Sequence, residues 1–273
     1  MTGHIDPAMS EAEYHRRPEL SSTQARLLLD SPARYHYAQS HPQPPRDAFD
    51  IGSAVHAKVL GVGASVVVLE FPDFRSKAAQ TARDEARAAG QTPLLAKSAA
   101  EVDAIAESVL ANVTARALFE QAGTSETSVF ATDPDTGAAV RARFDFLPAD
   151  PGKGVAVDLK TTAGSASPRG FEKSVANYGY DVQQGHYQHA YKAATGHDVP
   201  MVFVVVEKEP PYLSGTYQLN HQWTDMGAVR AAHARDIYAR CTSAGDWPGL
   251  PTDIQLIQPP FWAISEYQES FND

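Results

Sequence analysis

The chain has 273 residues, 43% of them hydrophobic, enough to bury one sizeable core with room for an added helical part. Its formal net charge of -10 argues against a general nucleic-acid coat, although metal-holding carboxylates beside local basic patches would also make a chain acidic. The single cysteine, Cys241, excludes a disulfide framework, a cysteine zinc site and a cysteine-bound iron–sulfur cluster. No apolar run reaches the length of a membrane span, and the N-terminus lacks a charged-then-apolar leader. A cytoplasmic protein that does not enter membranes is therefore expected.

Residues 1–19 are polar and aperiodic and predict a loose or surface-wrapping arm. Leu20-Ser21-Ser22-Thr23 followed by QARLLL predicts a capped short helix, stopped at Ser31-Pro32. His41 to Arg46 reads as a proline-rich connector, Gly52 to Leu60 as a helix carrying His56, and Val66 to Phe71 as a short strand. Ser76–Ala89 predicts a charged, alanine-rich helix, and Ala96–Gln121 one long helix with Val102, Ile105, Val109, Val113 and Leu118 at helical spacing. Strands are expected at Glu126–Thr132, Ala138–Leu147 and Val155–Thr161, and Ala163–Tyr180 as a mobile loop. Beyond it come a helix over Asp181–Thr195 ended by Gly196, a buried strand over Val199–Val206, a strand over Thr216–His221 and a helix over Thr224–Ala244. A tail containing proline and aromatic residues follows. This order predicts an α/β fold with a mixed central sheet flanked by helices, residues 1–95 forming an N-terminal arm and helical addition and 96–273 the core.

The hairpin from Ala138 to Thr162 carries the most information. Strict alternation puts Val140, Ala142, Phe144 and Phe146 on one face and Arg141, Arg143 and Asp145 on the other. In the second strand Val155, Val157 and Leu159 oppose Ala156, Asp158 and Lys160. A turn centred between Pro151 and Gly152 pairs residues whose numbers sum to 303, so Asp145 lies opposite Asp158 and Arg143 opposite Lys160. Like charges directly across a sheet are destabilising, and a divalent cation would supply the missing counter-charge.

Asp145, Asp158 and Lys160 form a D-x12-D-x-K pattern suited to phosphodiester hydrolysis. Acids of this kind hold Mg2+ or Mn2+, and the lysine orients or deprotonates water or stabilises charge developing on phosphorus. The rival reading is an exposed Asp–Lys pair on a sheet face. Gln183 and Tyr187, four apart in DVQQGHY, share a helix face beside this pattern, or simply belong to an amphipathic helix. Glu126 in SETSVF is either a further carboxylate or a solvated strand-end acid. His56 in GSAVHAKVL is either a core histidine or an imidazole ligand.

Taken together, LSSTQARLLLDSPARYHY, GSAVHAKVL, SETSVF, RARFDFL, VDLKTT and QQGHY resemble, in order, the PD-(D/E)XK nuclease superfamily and its RecE-type phage and prophage exonuclease branch. Phe144 stands where the superfamily name expects proline, and the second acid is Asp158 rather than glutamate. The resemblance implies a restriction-endonuclease-like core with His56, Glu126, Asp145 and Asp158 at a Mg2+ or Mn2+ site, Lys160 catalytic, and Gln183 and Tyr187 supporting them. It further implies 5′–3′ digestion of linear double-stranded DNA from its ends by a homo-oligomeric ring, leaving 3′ single strands for an annealing protein. Candidate phosphate contacts are then Ser21, Ser22, Arg26, Arg141, Arg143, Thr161 and Thr162. The alternatives are an endonuclease or repair nuclease on the same core, or a non-catalytic DNA-end-binding protein.

Overall fold

The computed structural model describes residues 3–41 and 47–271. Its N-terminal third holds β1 (Gly3–Asp6), α1 (Glu11–Arg16), α2 (Ser22–Asp30), α3 (Pro32–Ser40), α4 (Asp47–Leu60), β2 (Val66–Leu69), α5 (Lys77–Ala88) and β3 (Thr92–Leu95). Next come α6 (Ala96–Ala111), α7 (Val113–Glu120), β4 (Gly123–Thr132), β5 (Ala139–Pro148) and β6 (Ala156–Thr162). The chain continues through α8 (Pro168–Tyr178), α9 (Tyr180–Thr195), β7 (Met201–Glu207), β8 (Ser214–Tyr217), α10 (His221–Ala244) and α11 (Phe261–Glu269).

A mixed six-stranded sheet, in the order β1-β4-β5-β6-β7-β8, forms the centre; its strands pair antiparallel except for the parallel neighbours β6 and β7. β2 and β3 make a separate parallel pair. Helices cover both faces of the large sheet. On one side Leu20, Leu28, Val140, Ala142, Phe144, Phe203 and Val205 share a core with Val182 and Tyr191 of α9 and Ala231 and Ala234 of α10. On the other, Val55, Val59, Val102, Ile105 and Val109 of α4 and α6 pack on Phe146, Val157, Leu159, Val204 and Val206. The near-continuous apolar run of β7 is what a strand buried on both faces requires. Helices α9 and α10 cross closely because Gly185 and Gly227 meet there. A Cβ on Gly185 would lie 2.6 Å from the Gly227 carbonyl oxygen, and one on Gly227 2.1 Å from that of Asp181.

The mixed sheet flanked by helices is the architecture expected, and the hairpin register agrees with its parity: Phe146 pairs Val157. Residues 3–19 take the surface-wrapping form of the two expected, and three other expectations fail, each for a local reason. β1 adds to β4, and Tyr14 of α1 is buried against Phe130, so this polar stretch takes its order from tertiary contact. The long 96–121 helix is two, because Asn112 leaves the helical region (φ -72°, ψ 109°) and its Oδ1 caps the next helix at the N–H groups of Thr114 and Ala115. The 163–180 loop holds α8, whose cap at Ser167 and Pro168 at the first helical position are helix-start chemistry. Finally, Phe144 and Phe146 lie in different cores, so the alternation along β5 breaks between them. The proline-rich connector at 41–46 falls, apart from His41, outside the described residues.

His186 lies wholly buried between α9 and β5, where its Nε2 donates to the Arg141 carbonyl at 3.0 Å, and burial pushes its pKa down to about 4. Between that value and roughly 6.5 the unfolded chain binds a proton that the folded one refuses. This contribution to stability is therefore full above that window, drains as pH falls through it, and amounts to about 3 kcal/mol in total. Urea midpoints between pH 7 and 4 should fall more steeply for the wild type than for His186→Gln, which keeps a donor without titrating. Parallel profiles would show that His186 does not govern the acid loss.

Candidate active site

The break in β5 builds the site. On β4 and β5, Ser125 pairs Phe146 and Thr127 pairs Phe144, but the intervening Glu126 and Asp145 do not pair. Glu126 sits at φ 53°, a left-handed conformation uncommon for a residue with a Cβ, which concentrates at functional sites. On the β6 side, Asp145 Oδ2 accepts the Leu159 N–H at 2.6 Å, a donor that an uninterrupted ladder would direct to a β5 carbonyl. The two strands therefore share one recorded pair, Phe146 with Val157. His56 of α4 reaches the opening, with Nδ1 3.5 Å from Asp145 Oδ2.

Two groups of side chains meet at this opening. His56, Glu126 and Asp145 each offer a ligand atom, all within 4.8 Å of one another. Next to them Asp158, almost fully buried, ion-pairs with Lys160 and accepts a 2.6 Å hydrogen bond from Gln183 Nε2. Gln183 rather than Gln184 makes this contact; Gln184 donates to Gln188. Tyr187 is buried against the Phe144 ring at 5.0 Å and hydrogen-bonds the Ser22 hydroxyl. Asp158 stands outside the His56–Glu126–Asp145 group, so the four expected metal residues divide three and one.

Charge pairing separates the three acids. Asp158 has Lys160, and Glu126 has Arg143 Nε at 2.6 Å. Asp145 has a backbone N–H and the imidazole of His56, whose pKa burial and Lys160 lower, so that it is neutral. Burial, and then the Asp158 charge, push the Asp145 carboxyl well above the usual carboxylate range. For Lys160 burial opposes the charge, but the Asp158 and Asp145 carboxylates outweigh it and raise its pKa. Two carboxylates about 4 Å apart repel by roughly 4 kcal/mol at an effective dielectric of 20. A divalent cation at Asp145 answers that deficit. The donor set fits: two carboxylates and one neutral imidazole suit a hard or borderline ion.

Residues 21–259, which include every one of these side chains, match the profile of the PDDEXK-like domain of unknown function, DUF3799. The chain belongs to this family. A crystal structure of a candidate exonuclease from Eubacterium rectale has a similar fold, with a TM-score of 0.61 and 12% identity over 94% of this chain and 97% of that one. A phage-related exonuclease of Haemophilus somnus aligns with a TM-score of 0.34 and 10% identity over 85% of this chain and 99% of that one. No curated protein matches.

Within this PDDEXK-like site the expected phosphate contacts are scattered. Ser21 is spent on a capping box with Gln24, and Ser22 is buried on Tyr187. Arg141 is buried and ties the N-terminal arm down by donating to the carbonyls of Tyr14 and Arg17. Arg143 donates to Glu126, to Ser128 Oγ and to the Met9 carbonyl. The polar face of β5 is thus an internal face, and its arginines are turned into the fold instead of toward a ligand. Thr161 and Thr162 stay part-exposed beyond Lys160, with Thr162 Oγ1 accepting the Gly164 N–H. Arg26 lies near the site, donating to Thr23 Oγ1 and the Tyr178 carbonyl. Tyr180 was not singled out by sequence, yet its ring carries Lys160 Nζ at 5.0 Å from the centroid. Its spacing from Gln183 and Tyr187, i, i+3 and i+7, is the signal that marks it.

The cation argument has a direct thermal test. Mg2+ or Mn2+ should raise the unfolding temperature of the wild type, by the equivalent of about 2.7 kcal/mol at a hundredfold excess over Kd. Asp145→Asn keeps an acceptor for Leu159 and removes the like charge. In EDTA it should melt no lower than the wild type, and the metal-dependent increment should vanish. An increment that survives would place the ion elsewhere.

Proposed function

We propose that the chain is a divalent-metal-dependent exonuclease of the RecE type, degrading linear double-stranded DNA from the 5′ end and leaving 3′ single strands for recombination. The observation that carries this is the pairing pattern of the acids: among the described residues Asp145 makes no direct ion pair with a lysine or arginine, beside an Asp158–Lys160–Gln183 set that is already balanced. The DUF3799 match and the fold shared with the Eubacterium rectale candidate exonuclease support a nuclease.

His56, Glu126 and Asp145 would hold a divalent cation, which when bound would supply Lewis-acid polarisation of a phosphoryl oxygen. The chain's own residues do the rest. Gln183 fixes Asp158, which anchors the Lys160 ammonium, and Tyr180 supports that ammonium from below. Lys160, whose ammonium the Asp158 and Asp145 carboxylates favour against burial, is placed to donate to charge growing on the phosphate. Tyr187, hydrogen-bonded by Ser22 and packed on Phe144, holds α9 and so Gln183 in register.

A ring of copies with a basic inner channel reconciles the acidic chain with a DNA substrate. Support comes from the C-terminal segment, where the large apolar residues Ile254, Leu256, Ile257, Phe261 and Trp262 are strongly exposed, as residues that pack against another copy would be. A single-strand annealing protein is the natural recipient of the product, and the bacterial host cytoplasm its setting. Among the described residues no helix is long and apolar enough to cross a membrane.

With Mg2+ and end-labelled linear duplex, the purified chain should release the 5′ label first and leave a covalently closed circle uncut. Lys160→Ala and Asp158→Asn should each lower the rate by about 10²–10³-fold. Digestion at wild-type rate by either variant would overturn the assignment, and cutting of the closed circle would make the chain an endonuclease.

A further inference from the structure

Beside the candidate active site a row of aromatic rings runs from the core to the surface. Phe203 of β7 is fully buried; the Tyr180 ring stacks on it at 6.0 Å and 25°. Tyr178 follows at 5.7 Å from Tyr180, and 59% of it is exposed. The two tyrosines flank Gly179, which ends α8 and begins α9 in the left-handed conformation (φ 64°, ψ 43°). That break sets their rings side by side instead of on opposite sides of one continuous helix. Arg26 locks the corner. A Cβ on Gly179 would lie 2.9 Å from Arg26 Cδ, and the guanidinium donates to the Tyr178 carbonyl. The middle ring of the row, Tyr180, is the one that carries Lys160.

This arrangement spends rigidity on a side chain that the fold does not need. Tyr178 adds nothing to the core, yet its backbone is fixed by a helix cap and an arginine, and its ring is one step from the group that would meet the scissile phosphate. A flat, exposed ring so placed matches the face of a nucleobase, because stacking is tolerant of base identity and strongest for a base already out of its duplex. The Arg26 cation beside it is placed for the backbone of the same nucleotide.

We infer that Tyr178, supported by Tyr180, is the stacking platform for the terminal, unpaired nucleobase next to the scissile phosphate, so that the site takes a strand whose end has been peeled from its partner. This rests on the nuclease reading and adds a base-binding subsite to it.

The test uses the Asp158→Asn chain with Mg2+ and duplexes carrying 2-aminopurine at the 5′-terminal position or five base pairs inward. Binding should quench the terminal probe and leave the inner one unchanged. Adding Tyr178→Ala should abolish the quench and weaken binding roughly 5- to 150-fold, whereas Tyr178→Phe should retain both. In the otherwise wild-type chain, Tyr178→Ala should raise KM for linear duplex more than it lowers kcat. Unchanged quenching and affinity in Tyr178→Ala, alongside normal digestion by the wild type, would overturn the platform and leave the nuclease standing. Absence of both DNA binding by Asp158→Asn and digestion by the wild type would overturn the two together.

Discussion

One hydrogen bond organises the site: the Asp145 carboxylate takes the Leu159 N–H. A carboxylate cannot do this without separating the strands, so β5 and β6 keep a single recorded pair and diverge beyond it. The divergence gives His56 of α4 a way in from one face of the sheet and leaves Asp158 and Lys160 directed to the other, toward α9. The broken alternation between Phe144 and Phe146 is the same event seen from the core, since each phenylalanine packs on the helices of its own side. Opposite it, Glu126 takes an unfavourable backbone conformation. A sheet built only for stability would have kept these pairs.

Burial makes the arrangement consequential. Exposed acids a few ångströms apart would be screened and would cost little. Here the carboxyl of Asp145 is forced toward its neutral form, while Lys160 stays protonated against the same burial because two acids hold it. The scaffold around them is correspondingly stiff. Arg141 and Arg143 tie α1 and the segment before it to β5, and the N-cap of α2 brings Ser22 onto Tyr187. Residues that in sequence resembled DNA contacts are largely the fastenings of the site.

Much of this was legible in the sequence, and the limits have physical causes. Parity together with the turn at Pro151-Gly152 gives the hairpin register: an odd sum keeps Val157 and Phe146 on one side, and the turn centre makes it 303. The same rule misplaces Phe144, since alternation assumes an unbroken ladder and no propensity reveals that a side chain will replace a backbone acceptor. Asn112 inside an otherwise helical pattern reads as a tolerated polar residue until its side chain is seen capping α7. The Ser-Pro start of α8 was visible, but its glycines and serines also fit a loop. The face of Arg141 reads as solvated because a strand's polar side normally is; that an N-terminal arm folds over it is a non-local fact.

The charge of the chain then acquires a specific meaning. Duplex DNA presents one negative charge per roughly 1.7 Å of axis, and proteins that hold it by charge alone need many unpaired cations facing it. This chain is acidic overall, and Arg141, Arg143 and Lys160 on the site strands are committed to partners inside the fold. On the proposed nuclease reading, affinity for a strand end would come from elsewhere: a metal at Asp145, stacking on an exposed ring, or further copies that surround the helix. All three act at an end better than along a duplex. On that reading the metal and Lys160 would address one phosphate, the ring one base, and a closed assembly would admit DNA only by threading. An acidic chain whose site-strand cations Arg141, Arg143 and Lys160 are held by partners in the fold would in this sense suit a substrate recognised by its terminus, where few contacts are made and each must be placed by the fold.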